Sequence, residues 1–131
     1  MDANESATRE SPLATYRRHL ARGELAYQYD PVAQRPVFPP RVLAPGSGAT
    51  DLPWRISAGA GTVHAVTVVR PRDQAPYNVV LVDVDEGFRM MSRVEGVAPA
   101  DVRIGMRVRM RAVQPDGDDA PYPVFDVPEA A

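Results

Sequence analysis

Few side chains in this sequence could do chemistry. There are two histidines, His19 and His64, and fifteen basic residues, every one of them arginine. Cysteine and lysine are both absent. Without a thiol there is no cysteine nucleophile, no disulfide and no thiolate zinc site, and without a lysine amine there is no Schiff base. No serine–histidine–aspartate set is recognisable. His64 stands between Val63 and Ala65 in an apolar run, where a histidine reads as a packed or surface residue rather than a base. Gly59-Ala60-Gly61 precedes a strand instead of joining a strand to a helix, so it reads as a barrel bend or bulge and not as a phosphate loop. Asp83, Asp85 and Glu86 read as a solvated turn at a strand end rather than a cation site. What remains is guanidinium. Arg107, Arg109 and Arg111 form one stripe, Arg89 and Arg93 another, and Arg70 and Arg72 share a loop. The first reading of these is a solvated face. The second is phosphate contact, because the planar fork matches phosphate oxygens. Arg70, Arg72, Arg89 and Arg93 are the candidates for such a contact, and an acidic partner surface is a further possibility.

The elements that must position these groups are β-strands. Thr62–Val69 and Tyr77–Val84 are dense in β-branched residues, and the loop between them, Arg70–Pro76, holds two prolines. Phe88–Glu95 and Met106–Val113 alternate apolar and polar, the period of a strand with one buried face. Tyr122–Val127 is a short fifth strand, and Pro99–Val102 reads as a helical turn between the third and fourth. Five strands with that insertion fit an OB-type barrel, whose closure also removes exposed edges. Upstream, Ser11-Pro12 has the form of a helix start, and Leu13, Tyr16 and Leu20 form one face. Gly23 sits where that helix would end. Arg17, Arg18 and Arg22 fall off the stripe. Glu24–Pro53 is the least regular stretch, with six prolines that forbid a regular helix. Trp54 follows at once and is expected to close this stretch against the barrel.

Composition bounds the rest. The 131 residues allow one domain with a modest core, and 44% hydrophobic content predicts a packed fold. A net charge of −2 argues against a general nucleic-acid binder. No apolar run is long enough to span a membrane, and Met1–Glu10 is polar, so a disordered tail and a cytoplasmic location are expected.

Phe38-Pro39-Pro40-Arg41, Asp51-Leu52-Pro53-Trp54, Gly59-Ala60-Gly61-Thr62-Val63, Arg103-Ile104-Gly105-Met106-Arg107-Val108 and Pro123-Val124-Phe125 occur in one order. Together they resemble the bacterial and archaeal family of thiolase-associated OB-fold proteins, from about Leu20 to Phe125. The resemblance implies an N-terminal helix, a rubredoxin-like zinc ribbon and an OB barrel. It also implies two Cys-x-x-Cys knuckles around the Phe38–Arg41 motif. Here those four positions fall on Asp30, Ala33, Ala44 and Ser47, so the chain resembles a member that has lost its zinc. The expected organisation is a tail over 1–10, a helix over 11–23, a degenerate metal-free ribbon over 24–56, an OB-fold domain over 57–127 and a tail over 128–131.

The resemblance further implies a non-catalytic companion subunit of a thiolase, aldolase or acyltransferase. The resemblance implies a hetero-oligomer, with no cofactor bound by this chain itself and a coenzyme A thioester in the complex, whose phosphates Arg70, Arg72, Arg89 and Arg93 are the candidates to meet. Stable interfaces favour aromatic and arginine anchors. That points to Phe38, Arg41, Tyr122 and Phe125 as docking residues. The alternative is an OB-type single-strand nucleic-acid binder, which needs aromatic platforms on a basic groove. Only Tyr77, Phe88, Tyr122 and Phe125 lie on strands, and the net charge has the wrong sign.

Overall fold

The computed structural model describes residues 10–128. The tails expected at either end fall outside these residues, apart from Glu10 and Pro128. The first element is a helix, α1 (Pro12–Leu20). The Ala14 N–H donates to Ser11 Oγ at 3.1 Å, and Pro12 occupies the first helical position, where a missing N–H costs nothing. Arg17, Arg18 and His19 lie in the last turn, where positive charge suits the helix dipole. Gly23, at a φ of +81°, ends the turn as its N–H donates to the Leu20 carbonyl. Tyr16 and Leu20 are buried, but Leu13 is half exposed, so the apolar face is narrower than its spacing suggests.

Next come β1 (Leu25–Asp30), β2 (Arg35–Val37) and β3 (Trp54–Ser57), an antiparallel sheet in the order β2-β1-β3. The central strand β1 is covered on both faces, which removes the alternation that would announce it. Trp54 stacks on His19 of α1, ring centroids 6.1 Å apart, and packs against the main core.

The remaining strands are β4 (Ala60–Val69), β5 (Tyr77–Val84), β6 (Phe88–Ser92), β7 (Val94–Glu95), β8 (Arg107–Val113) and β9 (Tyr122–Asp126). Their sheet order is β6-β5-β4-β8-β9-β7. Only Arg93 separates β6 from β7, so the two ends of this sheet are one bent strand. The sheet therefore closes on itself as a five-stranded OB barrel, with β7 and β9 running parallel at the closure. A 3₁₀ turn at Pro99–Asp101 fills the expected place between β7 and β8.

The bulge lies not at Gly59–Gly61 but at His64, where the β4–β5 register shifts between Val63 and Ala65. One extra residue moves the inward set from Val63 to Val66, which packs on the core. Gly61 is needed for close approach. A Cβ there would sit 2.6 Å from Val82 Cγ1 and 2.7 Å from the Asp83 carbonyl oxygen.

The helix, the small sheet and the barrel share one core. Tyr16, Leu20, Leu25 and Tyr27 pack in the same cluster as Val63, Val82, Phe88, Val108 and Phe125. Phe38 joins them, stacked on Phe88 with centroids 4.8 Å apart and edge-on to Tyr16 at 5.7 Å. A separate small cluster, Val37, Ala44 and Leu52, supports the loop after β2.

Candidate docking surface

The groups that could have been catalytic are all used for structure. His19 Nδ1 lies 2.8 Å from Glu24 Oε1, and His64 is exposed with Nδ1 3.5 Å from Asp83 Oδ2. Among the described residues, the serine hydroxyls go to helix capping, to Asp30, to Glu86 and to the Pro123 carbonyl. No hydroxyl meets a histidine in these bonds. The acidic trio does not converge either. Asp83 pairs with Arg89, Asp85 with Arg107, and Glu86 accepts from Ser57 and the Ala58 N–H. The Arg89 guanidinium holds the Asp83 carboxyl below the usual carboxylate range, and Arg107 does the same for Asp85.

These pairs also account for most of the arginine stripes. Arg111 reaches Asp126 at 2.8 Å and Glu95 at 3.0 Å, and Arg93 reaches Glu95 at 3.0 Å. Of the four arginines expected to meet phosphate, Arg89 and Arg93 are therefore engaged across or along strands. Arg70 and Arg72 stand exposed in the β4–β5 loop, with no ion pair among the described residues. The structure does not bring the four together as one anion site. Of the four aromatics on the barrel strands, Phe88 and Phe125 are buried, and Tyr77 and Tyr122 reach solvent. Among the described residues the barrel presents no row of stacking platforms for single-stranded nucleic acid.

The expected docking set divides. Phe125 is 0% exposed at the barrel closure, opposite Val94 and Met110, and cannot touch a partner. Phe38 is half buried in the seam, together with the cluster that holds Phe125. The two sit at opposite ends of the chain but meet one core, because barrel closure brings β9 under the helix and small sheet. Arg41 and Tyr122 are exposed, in different clefts. Tyr122 shares an apolar groove of about 270 Å³ with Tyr77, Met91 and Val124.

The four positions implied as zinc ligands hold a different device. Asp30 is 0% exposed, and its Oδ1 accepts from the N–H groups of Val32 and Ala33, at 2.9 and 3.2 Å. Its Oδ2 accepts from Ser47 Oγ at 2.7 Å, and Ser47 Oγ accepts in turn from the Ala49 N–H. These bonds hold the Asp30 carboxyl below its ordinary range, the Ser47 bond most of all. Ala33 and Ala44 offer no ligand atom, and Ala44 is buried in the small apolar cluster. With two donors missing and the carboxylate already saturated by protein hydrogen bonds, these residues do not fit a zinc ion.

Gln28, 4% exposed, supplies a second clamp that sequence reasoning missed. Its Nε2 donates to the Arg41 carbonyl at 2.8 Å, and its Oε1 accepts from the Arg41 N–H at 2.7 Å. Arg35 Nη2 donates to the Pro45 carbonyl at 3.0 Å. The sequence signal for Asp30 is the Asp30-Pro31 dipeptide, a turn initiator whose carboxylate reaches the N–H groups two and three residues on. Gln28 has no comparable signal, because its partner lies thirteen residues away.

Residues 54–113 match the family of the ChsH2 C-terminal OB-fold domain. A DUF35 domain-containing scaffold protein of Methanothermobacter thermautotrophicus is 30% identical over 90 residues, covering 63% of this chain and 68% of that protein. The chain belongs to the DUF35 family. A DUF35 domain-containing scaffold protein of Methanocaldococcus jannaschii is 34% identical over 90 residues, 63% of this chain and 64% of that one. A probable enoyl-CoA hydratase alpha subunit of Thermomonospora curvata is 28% identical over 134 residues, and there this DUF35 chain spans only 42% of the relative's length. Among solved structures, a chain of the Ltp2-ChsH2(DUF35) aldolase superposes with a TM-score of 0.76 at 26% identity. The match covers 92% of this chain and 97% of that one. No helix among the described residues is long and apolar enough to cross a membrane.

Proposed function

We propose that this DUF35 chain is a non-catalytic accessory subunit that docks on a thiolase-type, acyl-CoA-processing enzyme. The observation that carries this reading is the likeness to a chain of the Ltp2-ChsH2(DUF35) aldolase over 97% of that chain's length. The structure is consistent with it, because the histidines, serines and strand carboxylates are spent on internal bonds. A coenzyme A thioester belongs to the assembly and not to this chain alone. Arg70 and Arg72 are the arginines left to meet its phosphates. The relationship to a hydratase alpha subunit favours a second reading, in which the partner enzyme hydrates an enoyl-CoA instead of cleaving a C–C bond.

The test is co-expression with the thiolase-fold proteins of the same genome, one at a time, followed by size exclusion and assay. Co-elution with one of them, together with a change in its activity or solubility, is expected. Independent elution from all of them, with each fully active alone, contradicts the proposal. Co-elution with a hydratase instead selects the second reading.

A further inference from the structure

One peptide bond of this chain is open to covalent chemistry that needs only water. The amide nitrogen that follows an aspartate can attack the side-chain carboxyl and close a five-membered succinimide ring. A side chain on the following residue shields that nitrogen, and burial or a strand ladder fixes the backbone away from the attack geometry. Only Asp116-Gly117 in this sequence places a glycine directly after an aspartate or an asparagine.

The fold sorts the aspartates by the same criteria. Asp30 is buried with both carboxylate oxygens bonded, and Pro31 after it has no N–H to attack with. Asp83, Asp85 and Asp126 are held by Arg89, Arg107 and Arg111, and Val84, Glu86 and Val127 shield the nitrogens that follow them. Asp116 lies instead in the loop over 114–121 that joins β8 to β9, and every residue over 116–120 is exposed. Gly117 has a φ of +79°, which glycine adopts freely, and a Cβ there would meet nothing within 4 Å. Gln114 Nε2 reaches the Pro115 and Asp119 carbonyls at 3.4 Å each, which is long for a restraining bond.

We infer that Asp116-Gly117 is a self-modification site, where aspartate converts to isoaspartate in the folded chain. The Gly117 nitrogen bonds to Asp116 Cγ, the C–OH bond of the carboxylic acid breaks, and water leaves with the amide hydrogen. Water then adds back to the ring. Addition at Cγ restores the aspartate. Addition at the main-chain carbonyl carbon of Asp116 breaks its bond to the Gly117 nitrogen. The backbone then runs through Cγ, and the α-carboxylate becomes the side group. One water is released and one consumed, so there is no oxidant and no net change in mass. The loop absorbs the extra backbone methylene because its ends are pinned outside it: Val113 pairs with Tyr122, and the ladder continues back to Arg109 and Asp126. The new α-carboxylate is a methyl acceptor for an isoaspartyl methyltransferase that uses S-adenosylmethionine. None of this depends on a partner enzyme.

The experiment ages the full, folded chain at neutral and at mildly acidic pH. Methyl acceptance is read with a protein isoaspartyl methyltransferase and labelled S-adenosylmethionine. The modified residue is located in the tryptic peptide over 112–131, whose retention time isoaspartate shifts at constant mass. Asp116→Glu is the control, because it keeps the charge but would have to close a slower six-membered ring. The expected result is methyl acceptance that grows with time and maps to residue 116. It grows faster at mildly acidic pH, where the carboxylic acid supplies the better leaving group, and Asp116→Glu loses it. Aged and fresh chains should melt together. No acceptance at either pH overturns the inference. So does acceptance that maps to another aspartate or persists in Asp116→Glu. A lower melt on ageing that Asp116→Glu does not share overturns the claim that the loop absorbs the change.

Discussion

Phe125→Ala separates a docking residue from a core residue. Phe125 is wholly buried where the barrel closes, paired in register with Val94 on β7 and Met110 on β8, and its N–H donates to the Arg93 carbonyl at 2.9 Å. Strands on both sides are fixed by their ladders, so the space left by the ring cannot collapse. Truncating a buried phenylalanine costs about 3–5 kcal/mol. Unfolding entropy is about 2.1 cal/mol/K per residue, so these 131 residues give roughly 275 cal/mol/K, and the expected fall in Tm is about 11–18 °C. Differential scanning calorimetry of the purified chain, without any partner, reads this directly. A Tm within about 3 °C of the parent, combined with weakened partner binding, would place Phe125 on a surface and refute the packing described above.

Gly61→Ala is expected to destabilise by roughly 1–3 kcal/mol, because its Cβ meets the Asp83 carbonyl at 2.7 Å and that backbone cannot yield without opening the β4–β5 ladder; chemical denaturation measures it. Burial raises the Tyr16 pKa from 10.0 to about 12. Its contribution to stability is fully present below pH 10 and is lost as pH rises through about 12, so one tyrosinate should appear late in an ultraviolet titration and be missing in Tyr16→Phe. Elemental analysis should find no stoichiometric zinc and chelators should leave the melt unchanged, whereas Asp30→Ala should lower it; about one zinc per chain would contradict the saturated carboxylate.

The barrel was legible because its strands carry their own signals. Phe88–Ser92 and Arg107–Val113 alternate with the pleat, and the prolines of the β4–β5 loop mark where pairing stops. Ser11-Pro12 announced the helix for the same local reason. The small sheet was harder. β1 is covered on both faces and holds Ala26, Gln28 and Asp30, which are poor strand formers, so neither period nor propensity reveals it. The surface was least legible. Aromatic and arginine content picks out anchors, but whether an aromatic faces a partner or the core depends on closure between residues far apart in sequence. Phe125 and Phe38 went inward for that reason, while Val42 and Leu43, unremarkable by type, stand outside.

The measurement that bears most directly on the accessory-subunit reading is size exclusion with light scattering on this chain mixed with each thiolase-fold protein of its genome. The account predicts one complex whose mass includes both chains, with catalytic turnover in the complex and none in this chain alone. Elution of every pair as separate species, or turnover of an acyl-CoA by the isolated chain, contradicts it.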